Sequence, residues 1–311
     1  MEYHQLFATY SIAARDPETG ALGVAVQTHQ IGVGRMVPFL LPGVGAVATQ
    51  SLVNVSFGPL GLQFLREGYA ADRTLAALVA SDAEAARRQV AVVDRQGNAA
   101  AHTGSGCIPH AAHHSGAGYS VQANMMTRDT VIPAMAAAFE RASGDLAARM
   151  LAALRAAQVE DGDIRGMQSA ALKVVSSDPT SPAWSAIYDL RVDEHAEPLT
   201  ELGRLVRLRH AQLVDTQGHQ ALDAGDSAEA LGLWAQARAE APDLEELAFW
   251  QALALADQQD DVAGAVAILG PVLAAHPRRA HWIDLITRLG ICGFIDHPAA
   301  GEALCAALES A

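Results

Sequence analysis

The sequence predicts an α+β protein, in which helical layers cover mostly antiparallel sheets, followed by an all-α helical repeat. Three observations carry this. Strand-like runs and helices arrive in blocks rather than in strict alternation, which argues against a doubly wound parallel sheet. After Pro198 nearly every segment is helix-forming, rich in Ala, Leu, Glu and Arg. Within that tail Gly225-Asp226-Ser227-Ala228-Glu229-Ala230-Leu231 resembles Asp260-Asp261-Val262-Ala263-Gly264-Ala265-Val266, 35 residues later.

Residues 8–14 and 22–28 read as short β-rich runs. Asp16-Pro17-Glu18-Thr19-Gly20 between them supplies turn chemistry, with proline fixing φ and glycine free to take φ > 0. Residues 43–51 read as a third strand, and 58–68 and 71–81 as helices, with Leu75, Leu78 and Val79 on one face of the second. Strands return at 89–94 and 99–103, joined by Arg95-Gln96-Gly97-Asn98, and again at 119–123. The glycine-rich segment 104–118 reads as a loop. Residues 129–143 are a helix by the spacing of Ile132, Met135, Ala136 and Phe139; 146–159 are another, with Ser143-Gly144-Asp145 breaking and capping the pair. Strands at 169–176 and 187–192 complete the domain.

The length of 311 residues suggests two domains, placed here at 1–200 and 201–311. In the tail, Pro242 and Pro277 share the 35-residue offset and each closes a helix; a period near 34 is of the tetratricopeptide type. With two copies visible, this part is expected to lean on the first domain, another subunit or a protein partner.

The formal charge is −14 and Lys173 is the only lysine, which argues against nucleic acid and against an anionic membrane surface. No stretch approaches the ~20 apolar residues of a membrane span. The start, Met1-Glu2-Tyr3-His4-Gln5, has no secretory pattern, and Cys107, Cys292 and Cys305 make no disulfide framework, so a cytoplasmic protein is expected. No Walker A, GxGxxG or GxSxG pattern occurs, and no cofactor is expected.

Polar groups concentrate where strands end. Thr49-Gln50-Ser51-Leu52-Val53-Asn54 precedes the turn at Gly58-Pro59; these groups line a site, or Ser51 and Asn54 cap the turn. Asn124 ends another strand, where its amide either donates to a developing oxyanion or satisfies backbone groups. Arg165, in Arg165-Gly166-Met167-Gln168-Ser169, suits bidentate binding of a carboxylate. Asp189, Arg191 and Asp193 share a strand face, as an ion-pair cluster or a site. His102, His110, His113 and His114 flank Cys107. This segment is a solvated or substrate-lining loop, or it holds a metal, although no metal signature spacing is present. Trp234, Trp250 and Trp282 read as core or interface anchors, and Met125, Met126, Met135 and Met150 as packing residues.

Several of these stretches together resemble one family, the bacterial domain-of-unknown-function 1028 family. They are Thr9 to Gly20, Gly43 to Gln50, Phe57 to Leu62, Ala101-His102-Thr103-Gly104 with Cys107, Ser120 to Met125, Arg165 to Leu172, and Asp189 to Asp193. The resemblance covers about residues 7 to 205. It implies an Ntn-hydrolase-like four-layer αββα sandwich with antiparallel sheets. It also implies hydrolysis of an amide-type bond by a residue at a freed N-terminus, whose own amine is the general base. The matching position is Thr9, which requires residues 1–8 to be absent from the active chain. Asn124 would assist at the oxyanion, with His29, Gln50, Ser51, Asn54, His102, Cys107, Arg165 and Gln168 as substrate-binding candidates. Cys107 with His102 is the fallback nucleophile and base. A small-molecule substrate, with a non-peptide amide or small acyl bond, and a homo-oligomer are expected. Two other readings stand beside this one: a metal-dependent or metal-binding protein using residues 102–114, and a non-catalytic ligand-binding or scaffold protein.

Overall fold

The computed structural model describes the backbone at Leu6–Phe7 and from residue 9 to residue 310, and side chains from residue 9 to 310; Ala8 of the predicted first strand lies outside these. The chain divides into two compact units, residues 1–206 and 207–311.

In the first unit the strands are β1 (Leu6–Phe7), β2 (Thr9–Arg15), β3 (Leu22–Thr28), β4 (Pro38–Leu41), β5 (Gly45–Leu52), β6 (Arg88–Asp94), β7 (Ala99–Thr103), β8 (Ala112–Gly116), β9 (Tyr119–Asn124), β10 (Ser169–Val175) and β11 (Tyr188–Val192). Helices α1 (Phe57–Arg66) and α2 (Ala71–Ala80) lie between β5 and β6, and α3 (Val131–Arg141) and α4 (Leu146–Val159) between β9 and β10. Every pairing is antiparallel. Sheet A runs β1-β5-β6-β7 with β4 also on β5; sheet B runs β11-β10-β3-β2-β9-β8.

The two sheets pack face to face through Leu22, Val24, Val26, Ala46, Ala48, Ala91 and Val93. Small residues on sheet A let the layers approach closely. The outer face of sheet A, Val47, Val90 and Val92, packs under Phe57, Leu65, Leu75 and Leu78 of α1 and α2. On the outer face of sheet B, Tyr10 reaches Gln158 of α4, and Gly23 leaves room for Met150. Asp145 caps α4 by accepting from the Ala148 amide. The result is the expected four-layer αββα sandwich with antiparallel sheets.

Three strands were not anticipated. β4 is a four-residue apolar run opening on proline, too short to show alternation, and β1 has two residues. β8 corrects the loop expected over 104–118. Its residues AHHSG keep much of their surface exposed, because β8 is an edge strand paired on one side only, with β9.

Helix α5 (Pro198–Asp223) spans the unit boundary. The second unit adds α6 (Ser227–Glu240), α7 (Glu245–Gln259), α8 (Val262–Leu273), α9 (Arg279–Ile291) and α10 (Pro298–Ser310). The sequence repeat has a structural counterpart: Asp226 and Asp261 cap α6 and α8 identically, accepting from the amides of Glu229 and Gly264. Trp234 is fully buried among Ala230, Phe249, Ala252 and Leu253, and Trp282 packs on Phe249. No helix among the described residues is long and apolar enough to cross a membrane.

At the end where β4 turns into β5, Gly43 has φ +62°, and a Cβ there would overlap the backbone of Pro179. Its amide donates to Ser176 in the β10–β11 connection, 3.0 Å away, tying the sheets together. Gly43→Ala combines left-handed strain with a backbone overlap. It should lower unfolding free energy by about 2 kcal/mol or more, read from urea denaturation.

Candidate functional site

At the opposite end of the sandwich the sheet registers align polar residues in rows. In sheet B, Thr9 opens β2 beside Thr28 on one side and Asn124 on the other, and Thr28 pairs with Ser169. Directly opposed residues share a face, so Ser169, Thr28, Thr9 and Asn124 form one row. The row faces sheet A, because Ser11, two residues along β2, donates to Gln50 Oε1 at 2.6 Å. Sheet A answers with its own row of Gln50, Gln89 and Thr103.

These rows are joined by buried side-chain amides. Gln89 is the hub: its Oε1 accepts from Gln50 Nε2 at 2.8 Å and from Asn124 Nδ2 at 3.0 Å. Its Nε2 donates to the Ala123 carbonyl at 2.8 Å and to Thr103 Oγ1 at 2.9 Å. Gln50 Nε2 also points at the Thr9 carbonyl, 3.1 Å away, with Asn124 Nδ2 at 3.5 Å from the same oxygen. Gln122 donates to Ser11 Oγ at 2.6 Å. Thr9 Oγ1 lies 3.3 Å from Thr28 Oγ1. Thr9, Ser11, Thr28, Gln50, Gln89 and Gln122 are completely buried.

A carboxylate stands behind the sheet B row. Asp163, in the connection from α4 to β10, is buried and accepts from the His29 amide at 3.0 Å and from the Arg165 amide and guanidinium. Ser169 Oγ accepts from the Val33 amide and donates to the Gln30 carbonyl, fixing the loop after β3. The Tyr10 hydroxyl donates to Gln158, and burial, followed by the charge of Asp163, holds its pKa well above the ordinary phenol value. It is therefore a neutral donor at any working pH. Among the described residues, His29 Nδ1 and both amide atoms of Gln27 are buried without a partner.

Backbone strain gathers at the same end. Of the five described non-glycine residues with positive φ, four stand here: Ser51, His110, Met125 and Asp161. Such conformations cost of order 1–3 kcal/mol each and cluster at functional sites. Ile31, Val55, Ile108 and Ile164 are exposed on the loops of this end.

Thr9, Asn124 and Gln50 of the predicted set are thus brought together, with Ser51 at the strained end of β5. His29 and Arg165 meet at Asp163. Gln168 donates its backbone amide to the Thr28 carbonyl at 3.1 Å, just before the row. Asn54 does not join them: it donates to Asp82 at 2.8 Å and accepts from the Ser56 amide, which is the turn-capping alternative. His102 Nε2 lies 2.9 Å from the Ala85 carbonyl on the outer side of sheet A, and Cys107 Sγ donates to the Arg88 carbonyl at 3.4 Å. Among the described residues no three His, Cys, Asp or Glu side chains are placed to hold a metal ion. His113 faces inward to Thr103 Oγ1 at 2.9 Å while its neighbour His114 faces the other way, beside Tyr119. Asp189 pairs with Lys173, and Arg191 with Asp193.

Sequence reasoning missed Thr28, Gln89, Gln122 and Asp163. The available signal was a polar residue in or beside an otherwise apolar strand, too common to single them out without the register.

The model of the DUF1028 family, described as a family of unknown function, matches residues 9–202. Among solved structures, protein SPO2555 from Silicibacter pomeroyi, assigned to the same family, is similar with a TM-score of 0.58 at 34% identity, over 64% of this chain and 88% of its own. Anbu (ancestral beta-subunit) from Yersinia bercovieri is a more distant neighbour, with a TM-score of 0.32 at 13% identity over 69% of this chain and 96% of its own. Comparison with curated proteins found no match.

Two predictions follow from the buried rows. Gln89→Leu leaves the amides of Gln50 and Asn124 without their acceptor and should cost about 2–5 kcal/mol in urea unfolding, at about 1–3 kcal/mol per orphaned group. The pKa of His113 is lowered by burial first, and then by the charges of His102 and His114. The unfolded chain therefore takes up the proton more readily. The stability contributed is full above the ordinary histidine value of about 6.5 and is lost as pH falls below it. His113→Gln should flatten the acid side of the stability–pH curve, measured by thermal unfolding across pH 5 to 8.

Proposed function

We propose that this chain, which belongs to the DUF1028 family, is an Ntn-type hydrolase that cleaves an amide bond with Thr9 as its N-terminal nucleophile. One observation carries the reading. Leu6–Phe7 pairs with β5 in sheet A, whereas Thr9 opens β2 in the middle of sheet B. The chain therefore changes sheets between these residues, and a break before Thr9 leaves it as the first residue of a strand already held on both sides. Its hydroxyl and new amine then stand between the two polar rows.

In the freed chain the Thr9 amine accepts the proton of its own hydroxyl as Oγ adds to the substrate carbonyl carbon. The C–N bond breaks, the leaving amine departs with that proton, and an ester to Thr9 remains. Water, deprotonated by the same amine, hydrolyses it. Asn124 Nδ2 and Gln50 Nε2, both aimed at the Thr9 carbonyl region, are the donors available to a developing oxyanion. The release of residues 1–8 uses the same hydroxyl on the Ala8 carbonyl: an ester forms, the Thr9 amine is freed, and water completes the cleavage. Complete burial of Thr9 in the uncleaved chain matches an inactive precursor. Arg165 is occupied by Asp163, so on this reading its role is to hold the loop beside His29.

A β-lactone electrophile reports an N-terminal threonine without knowledge of the substrate. One covalent adduct, mapped to Thr9 by peptide mass spectrometry, is expected. It should disappear in Thr9→Ala and survive in Thr9→Ser. Asn124→Ala should slow labelling by roughly a hundredfold, the usual cost of one oxyanion donor. Labelling that is unchanged by Thr9→Ala contradicts the assignment.

A further inference from the structure

The two residues of β1 occupy a slot whose use outlasts them. β4 covers the edge of β5 only along Gly45–Ala48, and Leu6–Phe7 takes the same edge further on, at Leu52 and Ser51. Once residues 1–8 leave, the edge at Ser51–Leu52 has no strand partner, and unpaired edge groups are a template for an added strand. Ser51, at φ +68°, gives this edge a bend that the regular part of β5 lacks. The residues that pair in the slot, Leu6 and Phe7, are apolar. Val55, three residues beyond Leu52, is an exposed aliphatic at the same end, as are Ile31, Ile108 and Ile164.

We infer that the Ser51–Leu52 edge of β5 is the acyl-side subsite, and that its ligand is an extended peptide with apolar residues before the scissile bond, bound as an added antiparallel strand. This rests on the proposed Thr9 chemistry and narrows its amide to a peptide bond. The register sets the geometry. A ligand residue beside Leu52, where Leu6 pairs in the uncleaved chain, is followed by one beside Ser51, where Phe7 pairs, and the next carries the carbonyl presented to Thr9. The leader therefore blocks the site twice: its peptide bond caps the Thr9 nitrogen, and Leu6–Phe7 fill the subsite.

The test is a binding measurement that needs no hydrolysis. Full-length Thr9→Ala, which retains residues 1–8, is compared with the same chain carrying Leu6→Pro and Phe7→Pro, which leaves β1 no ladder donor at either position. Each is titrated with a fluorescent peptide of sequence Met-Glu-Tyr-His-Gln-Leu-Phe-Ala and with a scrambled control. The tethered leader competes at an effective concentration on the order of millimolar. The opened chain should bind the peptide at least about tenfold more tightly than the closed chain, with amide-exchange protection at Ser51 and Leu52 and no response to the scramble. A second opened variant, Leu6→Gly with Phe7→Gly, should behave the same way. Equal affinity for open and closed chains, or no saturable binding to either opened chain, overturns the subsite. Neither outcome depends on whether Thr9 is a nucleophile, which the lactone experiment decides separately.

Discussion

The interaction on which the first unit most depends is the bonding of the Gln89 side chain between the sheets. It sits at the polar end of a buried interior whose remainder is mostly Ala, Val and Leu, where an unpaired amide costs about 1–3 kcal/mol. Its oxygen accepts from one residue of each sheet, and its nitrogen is shared between Thr103 of sheet A and the Ala123 and Ala112 carbonyls of sheet B. Slipping the register of one strand by one residue would reverse the facing of every side chain in it, and sliding one sheet over the other would pull this hub away from Ala123 and Asn124. The polar rows therefore fix the relative placement of the sheets at one end, and the Gly43 tie with Ser176 fixes it at the other. Between them the contact is apolar and undirected.

That division explains why strain is tolerated where it is. Ser51, His110 and Met125 take left-handed conformations on loops and strand ends around the rows, while the strands that carry the rows are regular and buried. A rigid framework with strained margins suits a site that must hold a reacting group in one orientation. Thr9 is placed by three neighbours: Thr28 at its hydroxyl, and Gln50 and Asn124 at its carbonyl. None of them is charged, so the proposed Thr9 nucleophile takes its base from its own freed amine rather than from a neighbour.

Much of the architecture was legible in the chain. The turn at Asp16 to Gly20, the spacing of Ile132, Met135 and Phe139, and the recurrence of Asp226 at Asp261 each reported a local rule that the fold obeys. β8 was hidden because an edge strand of Ala, His, Ser and Gly is held by backbone bonds, which leave no side-chain pattern. The site was half legible. Thr9, Gln50 and Asn124 stand at strand ends and come together through register. Gln89 and Gln122 belong to the same cluster, yet nothing in a single sequence says which glutamines of a strand face inward. Asn54 shows the converse: a polar residue at a strand end that serves only its own turn.

The central claim is that the working chain begins at Thr9, and the most direct measurement is intact mass with N-terminal sequencing of the purified protein beside its Thr9→Ala variant. The account predicts a first residue of Thr9 in the unsubstituted protein and retention of residues 1–8 in the variant. A purified protein that keeps residues 1–8 and hydrolyses amides all the same would contradict it.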